Sequence, residues 1–142
     1  MTAAVKASGV ADVVELRIPG KAEWVAVARL AVSAVASRLK FSIEEIEDIR
    51  LAVAEACTDS IQSAGGQGQI DIWCESAGNA LRVRVRREGS AEKTVVSEAD
   101  ADADDEVSGL GIFLVRALMD EVEYSVHPER GTDLTMVKYV GA

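Results

Sequence analysis

Residues 42–64 decide the fold of this 142-residue chain; they read SIEEIEDIRLAVAEACTDSIQSA and are followed by two glycines. Ser42 and Glu45 have the spacing of a capping box, in which each side chain accepts a hydrogen bond from the other residue's backbone amide. Apolar residues then recur at helical spacing, and the glycine pair is a common C-terminal stop. The pattern predicts a helix that starts at Ser42 and runs to about Ala64.

The segments before this helix predict a tail, a strand and a first helix. Residues 1–11 are small and weakly patterned, and we expect them to form a flexible tail. Apolar and charged residues alternate over 12–18, which predicts a strand that ends at Pro19. Residues 21–40 carry apolar side chains at helical spacing and indicate a helix.

Two strands with strict alternation follow the glycine pair. Apolar and polar residues alternate over 70–75 and again over 81–86, and Gly78-Asn79 between them is a turn signal. We expect the outward acids of one strand to pair with the outward arginines of its neighbour. The residues predicted to face inward are Ile70, Ile72, Cys74, Leu81, Val83 and Val85.

The C-terminal third combines a loop, a helix and a hairpin. Residues 88–107 are of low complexity and include EADADADDE at 98–106, which predicts a solvated, mobile segment that can also act as a lid over a ligand. Residues 109–119 indicate a short helix, and 121–126 and 133–140 indicate a final hairpin.

The predicted order of elements is β-α-α-β-β-loop-α-β-β, in one domain that spans 12–142. Because strands follow one another instead of alternating with helices, this order favours an α+β two-layer sandwich, with the helices on one face of a mixed or antiparallel sheet. Apolar residues make up 49% of the chain, which is enough to build a core.

Composition excludes several classes of function. The net charge of -9 argues against direct nucleic-acid binding and favours basic or mixed-charge protein partners. No apolar run has the length of a membrane span and no signal peptide is visible, so we expect a cytoplasmic protein without a membrane partner. Cys57 and Cys74 lack metal or disulfide spacing and are expected to be buried. With His127 as the single histidine, a histidine-rich metal site is nearly excluded.

Two carboxylates of the long helix are candidates for chemistry. Glu55 and Asp59 lie one turn apart, on a face shared with Asp48 and Gln62 and opposite the apolar face. One interpretation is a core stripe opposed by a solvated charged stripe. The other makes Glu55 a general base and Asp59 a ligand of Mg²⁺, which prefers hard oxygen ligands. Spacing alone does not choose between them.

Gly109-Leu110-Gly111 opens the short helix directly after the acidic loop. Glycines at such a position let a ligand approach the backbone, and the free amides and the helix dipole favour phosphate. The alternative is that Gly109 only closes the loop as a permissive N-cap residue.

Several motifs together resemble one family. Their order and spacing are similar to those of the RsbW/SpoIIAB family, anti-sigma factors with serine-protein kinase activity in the GHKL ATPase superfamily, and the resemblance covers nearly the whole chain. The stretches that carry it are KAEWVAVARLAVSAVAS at 21–37, IEEIEDIRLAVAEACT at 43–58, VAEACTDSI at 53–61, REG at 87–89, SGLGIFLVRALMDEV at 108–122 and GTDLTMVKYV at 131–140.

The resemblance implies roles for the phosphate side of the site. Glu55 matches the glutamate that is proposed to activate the attacking hydroxyl. Asp59 stands where the family usually has an asparagine that binds Mg²⁺. Gly109 and Gly111 match the glycine box on the phosphate side, so the resemblance implies ATP and Mg²⁺ as ligands.

On the base side, the resemblance implies a departure. Gly89 matches a glycine that lies against adenine, and Thr135 matches a threonine near the adenine edge. Arg87 replaces the aspartate that accepts a hydrogen bond from the adenine amino group, and strand alternation predicts that Arg87 points inward. Because a guanidinium has only donors, we expect a loss of roughly ten- to hundredfold in ATP affinity.

Two hypotheses of different classes follow. In the first, the protein sequesters a sigma factor, forms a homodimer and uses ATP to phosphorylate an anti-sigma factor antagonist on serine. In the second, it binds the same partners but transfers nothing, which Arg87, Asp59 and the acidic loop motivate. A sensor-kinase ATPase domain is a third, less favoured interpretation.

Overall fold

The computed structural model describes residues 12–64, 68–88, 111–127 and 131–141. The predicted tail and nearly all of the predicted acidic loop lie outside the described residues. The elements are β1 (Asp12–Pro19), a 3₁₀ turn (Ala22–Trp24), α1 (Val25–Ala36), α2 (Ile43–Ala64), β2 (Gln69–Ala77), β3 (Ala80–Glu88), α3 (described over 111–118), β4 (Glu121–His127) and β5 (Gly131–Tyr139).

The predicted order of strands and helices is confirmed, and the first helix is shorter than expected. It begins with the 3₁₀ turn, and the α-helix ends at Ala36 instead of continuing to residue 40. The amides of Arg38 and Leu39 donate to the carbonyl oxygens of Val35 and Ala36, three residues back. Such bonds tighten the last turn and end the α-helix.

The five strands form one sheet in the order β1-β2-β3-β5-β4. Every pair of adjacent strands is antiparallel, so the antiparallel alternative of the predicted sheet is the observed one. The middle of the sheet is β3, which pairs with β2 on one side and β5 on the other. Two-residue alternation therefore places one face of each strand against the helices.

The core lies between this inward face and the helices, as predicted for an α+β two-layer fold. All six strand residues that were expected to face inward are buried, and they pack with α1 and α2 residues such as Val32, Ile49 and Val53. Cys57 and Cys74 belong to the same core, and burial raises the pKa of each thiol to about 12. Within the described parts of the chain, no helix has the length and apolar character to cross a membrane.

On the outer face of the sheet, the acid of β2 and the arginine of β3 form ion pairs with β1 and β5 and not with each other as predicted. Asp71 of β2 pairs with Arg17 of β1, its direct neighbour in the register, at 2.7 Å. Arg84 of β3 pairs with Asp133 of β5 at 2.6 Å, and its guanidinium lies 5.1 Å from the ring centroid of Trp73. The acids and arginines thus tie β2 to β1 and β3 to β5.

Helix α3 is fixed to the sheet at its C-terminal end. Nζ of Lys138 on β5 donates a hydrogen bond to the carbonyl oxygen of Leu118 at 2.7 Å, and the amide of Asp120 donates to Val137 at 2.9 Å. A cation at the C-terminal end of a helix is also favoured by the helix dipole. These contacts set where the opposite, N-terminal end of α3 meets α2.

The predicted capping box is present at the start of α2. The Ser42 amide donates to Glu45 Oε1 at 2.8 Å, and the Glu45 amide donates to Ser42 Oγ at 3.0 Å. We expect Ser42→Ala to lower the free energy of unfolding by about 1 kcal/mol, measured by urea denaturation, because one backbone donor loses its acceptor. Ser125→Ala on exposed β4 is the control, and an equal loss in both variants would contradict this role of Ser42.

Candidate functional site

The structure brings two of the predicted site residues together where α2 meets α3. Glu55 is half-buried on α2, and Gly111 is the first described residue of α3. A Cβ atom placed on Gly111 would lie 3.6 Å from Glu55 Oε1, which is ordinary van der Waals contact. Glycine at this position therefore leaves the Glu55 carboxylate uncovered on the side of the α3 backbone.

Asp59 lies one turn further along α2, and here the solvated-stripe interpretation is wrong. Its side chain is buried, with 4% of the residue exposed. The hydroxyl of Tyr124 on β4 donates a hydrogen bond to Asp59 Oδ2 at 3.0 Å. The helical wheel placed Asp59 opposite the core, but Tyr124 of β4, the edge strand of the sheet, contacts this side of the helix.

Arg87 points inward, as strand alternation predicted, and it is 3% exposed. In the register it stands between Ile70 of β2 and Thr132 of β5. Burial lowers the pKa of the Arg87 guanidinium, and the charge of Asp59 acts in the opposite direction. Arg87, which stands where the resemblance implies an aspartate, thus interacts electrostatically with the Asp59 carboxylate on α2.

Tyr124 completes this group, and the sequence prediction did not include it. Burial raises the pKa of its phenol, and Asp59 raises it further, so the hydroxyl stays protonated and can donate at neutral pH. Alternation along β4 was the available signal, since Val122 and Tyr124 both fall on the inward face of that strand. We call the three side chains of Asp59, Tyr124 and Arg87 the Asp59 cluster.

Thr135, which the resemblance implies to be near the adenine edge, lies on the opposite face of the sheet from Arg87. It pairs with Arg84 of β3 and lines a cavity on the outer face of the sheet, away from α2. Thr132 lies beside Arg87 on the inward face and is buried. The two threonines are three residues apart, and an odd shift along a strand moves a side chain to the opposite face. Gly89 and Gly109 lie outside the described residues.

The described residues offer few ligands for a metal ion. They contain no group of three or more histidine, cysteine, aspartate or glutamate side chains placed to hold one. Proteins commonly bind Mg²⁺ through one or two carboxylates together with substrate phosphates. Asp59 fits such a site as a single carboxylate ligand, with the remaining oxygens supplied by a nucleotide and water.

Comparison with known proteins places the chain in a family. The family described as histidine kinase-like ATPase domain matches residues 18–138. Among similar proteins, serine-protein kinase RsbW of Bacillus pumilus is 34% identical over 145 residues, covering 91% of this chain and 86% of the relative. Those of Listeria monocytogenes and Bacillus subtilis are each 35% identical, covering 91% and 92% of this chain and 88% and 87% of the relatives. The chain belongs to the histidine kinase-like ATPase family and, within it, to the RsbW-type serine-protein kinases.

Proposed function

We propose that this protein is an anti-sigma factor that sequesters a sigma factor and uses Mg²⁺ and ATP to phosphorylate an antagonist protein on serine. The observation that carries the proposal is the position of Glu55 beside Gly111 at the described start of α3. It gives a proton acceptor next to backbone that carries no side chain at Gly111. Membership of the RsbW-type kinases supports the same reaction.

In this proposal, Glu55 and the N-terminal end of α3 perform different parts of the transfer. The serine oxygen of the antagonist attacks the γ-phosphorus of ATP, the bond to the β,γ-bridging oxygen breaks, and ADP leaves. Glu55 orients the hydroxyl and accepts its proton. Backbone amides near Gly111 hold the phosphates. Asp59 would hold Mg²⁺, which neutralises charge on the phosphates when it is bound.

The partners belong to the proposal as well. We expect a cytoplasmic homodimer that binds a sigma factor and an antagonist in competition, with no direct contact to nucleic acid. The charge of -9 is consistent with protein partners that present basic surfaces.

The test combines a transfer assay with a binding assay. The purified protein is incubated with γ-labelled ATP, Mg²⁺ and a candidate antagonist, and we expect label on a serine of the antagonist. A pull-down at micromolar concentration is expected to recover the sigma factor. If the sigma complex forms but no label appears on the antagonist, the proposed kinase activity is wrong. If no sigma complex forms, the proposed anti-sigma activity is wrong.

The Asp59 cluster favours a second candidate, a protein that binds its partners without transferring phosphate. Asp59 and Arg87 are both buried, and each differs from the residue that the family resemblance implies. Electrostatic attraction between Asp59 and Arg87 and a tyrosine hydroxyl would then stabilise a site that no longer binds a nucleotide.

A paired exchange of charges separates the two candidates. Arg87→Asp alone would place two carboxylates in one buried cluster, so we combine it with Asp59→Asn. If the site is degenerate, calorimetry with Mg²⁺ and ATP will show affinity at least about tenfold higher in the double variant. The control is Arg17→Asp with Asp71→Asn on the outer face, which exchanges an exposed pair.

The active kinase is favoured instead when the native protein binds ATP at micromolar concentration and labels the antagonist in the transfer assay. Sigma binding is expected to be unchanged in both double variants, because neither exchange alters the charge of the exposed helical surface.

A further inference from the structure

The Asp59 cluster joins three elements of the fold across the inward face of the sheet. Asp59 comes from α2, Arg87 from β3 and Tyr124 from β4. The hydrogen bond from the Tyr124 hydroxyl to Asp59 Oδ2 measures 3.0 Å, and the negative charge of Asp59 attracts the Arg87 guanidinium. The cluster therefore links the helix to the centre and to the edge of the sheet.

Burial makes the members of the cluster depend on one another. An ionised carboxylate that is removed from water is stable only with a compensating charge and hydrogen bonds. Asp59 has a neutral donor in Tyr124 and a cation in Arg87. Within the cluster, the charges of Asp59 and Arg87 thus offset each other.

A bound nucleotide requires a different arrangement of the same groups. An Mg²⁺ ion on Asp59 would bring a divalent cation next to the Arg87 guanidinium, and these like charges repel. The hydrogen bond of Tyr124 to Oδ2 and the positive charge of Arg87 therefore compete with Mg²⁺ for the Asp59 carboxylate.

We propose that Tyr124 sets the nucleotide affinity of this site, as a positioning residue that holds Asp59 in a closed cluster which the incoming Mg²⁺–nucleotide has to open. The inference rests on the proposed function, since it takes Mg²⁺–ATP as the ligand of the site. When only a fraction of molecules has the open arrangement, the apparent affinity equals the intrinsic affinity multiplied by that fraction. Weakening the closed state therefore raises affinity.

Tyr124→Phe tests this directly, because it keeps the ring and removes the hydroxyl. The variant loses a hydrogen bond to a charged group in the closed state only, so we expect Mg²⁺–ATP and Mg²⁺–ADP to bind about tenfold more tightly. Calorimetric titration measures both affinities. Tyr139→Phe is the matched control, since the Tyr139 hydroxyl donates to Glu121 at 2.8 Å on the outer face.

The direction of the effect distinguishes positioning from simple structural damage. Loss of a merely structural bond leaves affinity unchanged or lowers it, whereas the closed cluster predicts a gain in Tyr124→Phe and none in Tyr139→Phe. If Tyr124→Phe does not fold, Asp59→Asn opens the same cluster by removing the charge that attracts Arg87. The same gain is expected there.

The remaining outcomes separate this inference from the proposed function. Equal or weaker binding by folded Tyr124→Phe, while the native protein binds ATP, overturns the inference and leaves the proposed function in place. No binding by the native protein or any variant at millimolar nucleotide, with the sigma complex intact, overturns both the use of ATP and the inference.

Discussion

Gly131→Ala is expected to lower the free energy of unfolding by about 3–5 kcal/mol. Gly131 has a φ of +113°, and a Cβ atom there would lie 1.8 Å from the carbonyl oxygen of Arg87. Neither atom can move alone, because Gly131 is paired with Glu88 between β3 and β5. Urea denaturation followed by circular dichroism measures the loss.

Gly78→Ala is the control that separates steric overlap from backbone conformation. Gly78 also has a positive φ, of +62°, but no atom lies within 4 Å of a Cβ atom placed there. Its loss should be about 1–2 kcal/mol, the usual cost of left-handed backbone for a residue with a side chain. Equal losses at both positions would show that the close approach to Arg87 contributes nothing.

This close approach also bears on the site. The backbone of Arg87 is held against Gly131, while its side chain is buried on the inward face of the sheet. A shift of the two strands at this point would move the guanidinium together with the backbone. We therefore expect the fraction of Gly131→Ala that still folds to have a different nucleotide affinity from the native protein.

Most of the fold follows from local pattern. Alternation identified the inward residues of β2 and β3, and the capping box located the start of α2, because both signals depend on neighbours in sequence. The end of α1 was misjudged since apolar spacing continues past Ala36, where the backbone has already turned to three-residue hydrogen bonds. The partners of the outward charges depend on strand order, which alternation does not contain.

The site was less predictable because its key contacts are tertiary. A helical wheel assigns Asp59 to a polar face, but its burial depends on where β4 packs, and β4 is 62 residues further along the chain at Glu121. The prediction of Thr135 rests on its match to the family motif, whereas the strand register places Thr132 beside Arg87. Arg87 was placed correctly because its direction follows from its own strand.

Glu55→Gln tests the chemical centre of the proposed function. Glutamine keeps the shape of the side chain beside Gly111 but cannot accept a proton at neutral pH. We expect the rate of phosphate transfer to the antagonist to fall by about 10²–10⁴-fold, the usual contribution of a positioned base. Single-turnover assays with labelled ATP measure this rate, while calorimetry is expected to show nucleotide affinity nearly unchanged.

Glu47→Gln on the same helix is the matched control. Its carboxylate is exposed and pairs with Arg50, one turn away, at 3.1 Å. The substitution therefore removes one charge from the helix without touching the site. Its transfer rate should stay at the native value. If Glu55→Gln transfers phosphate as fast as Glu47→Gln, the attacking hydroxyl needs no base at this position. Positioning of the phosphates at the start of α3 would then account for the catalysis, as it does where phosphoryl transfer has a loose transition state.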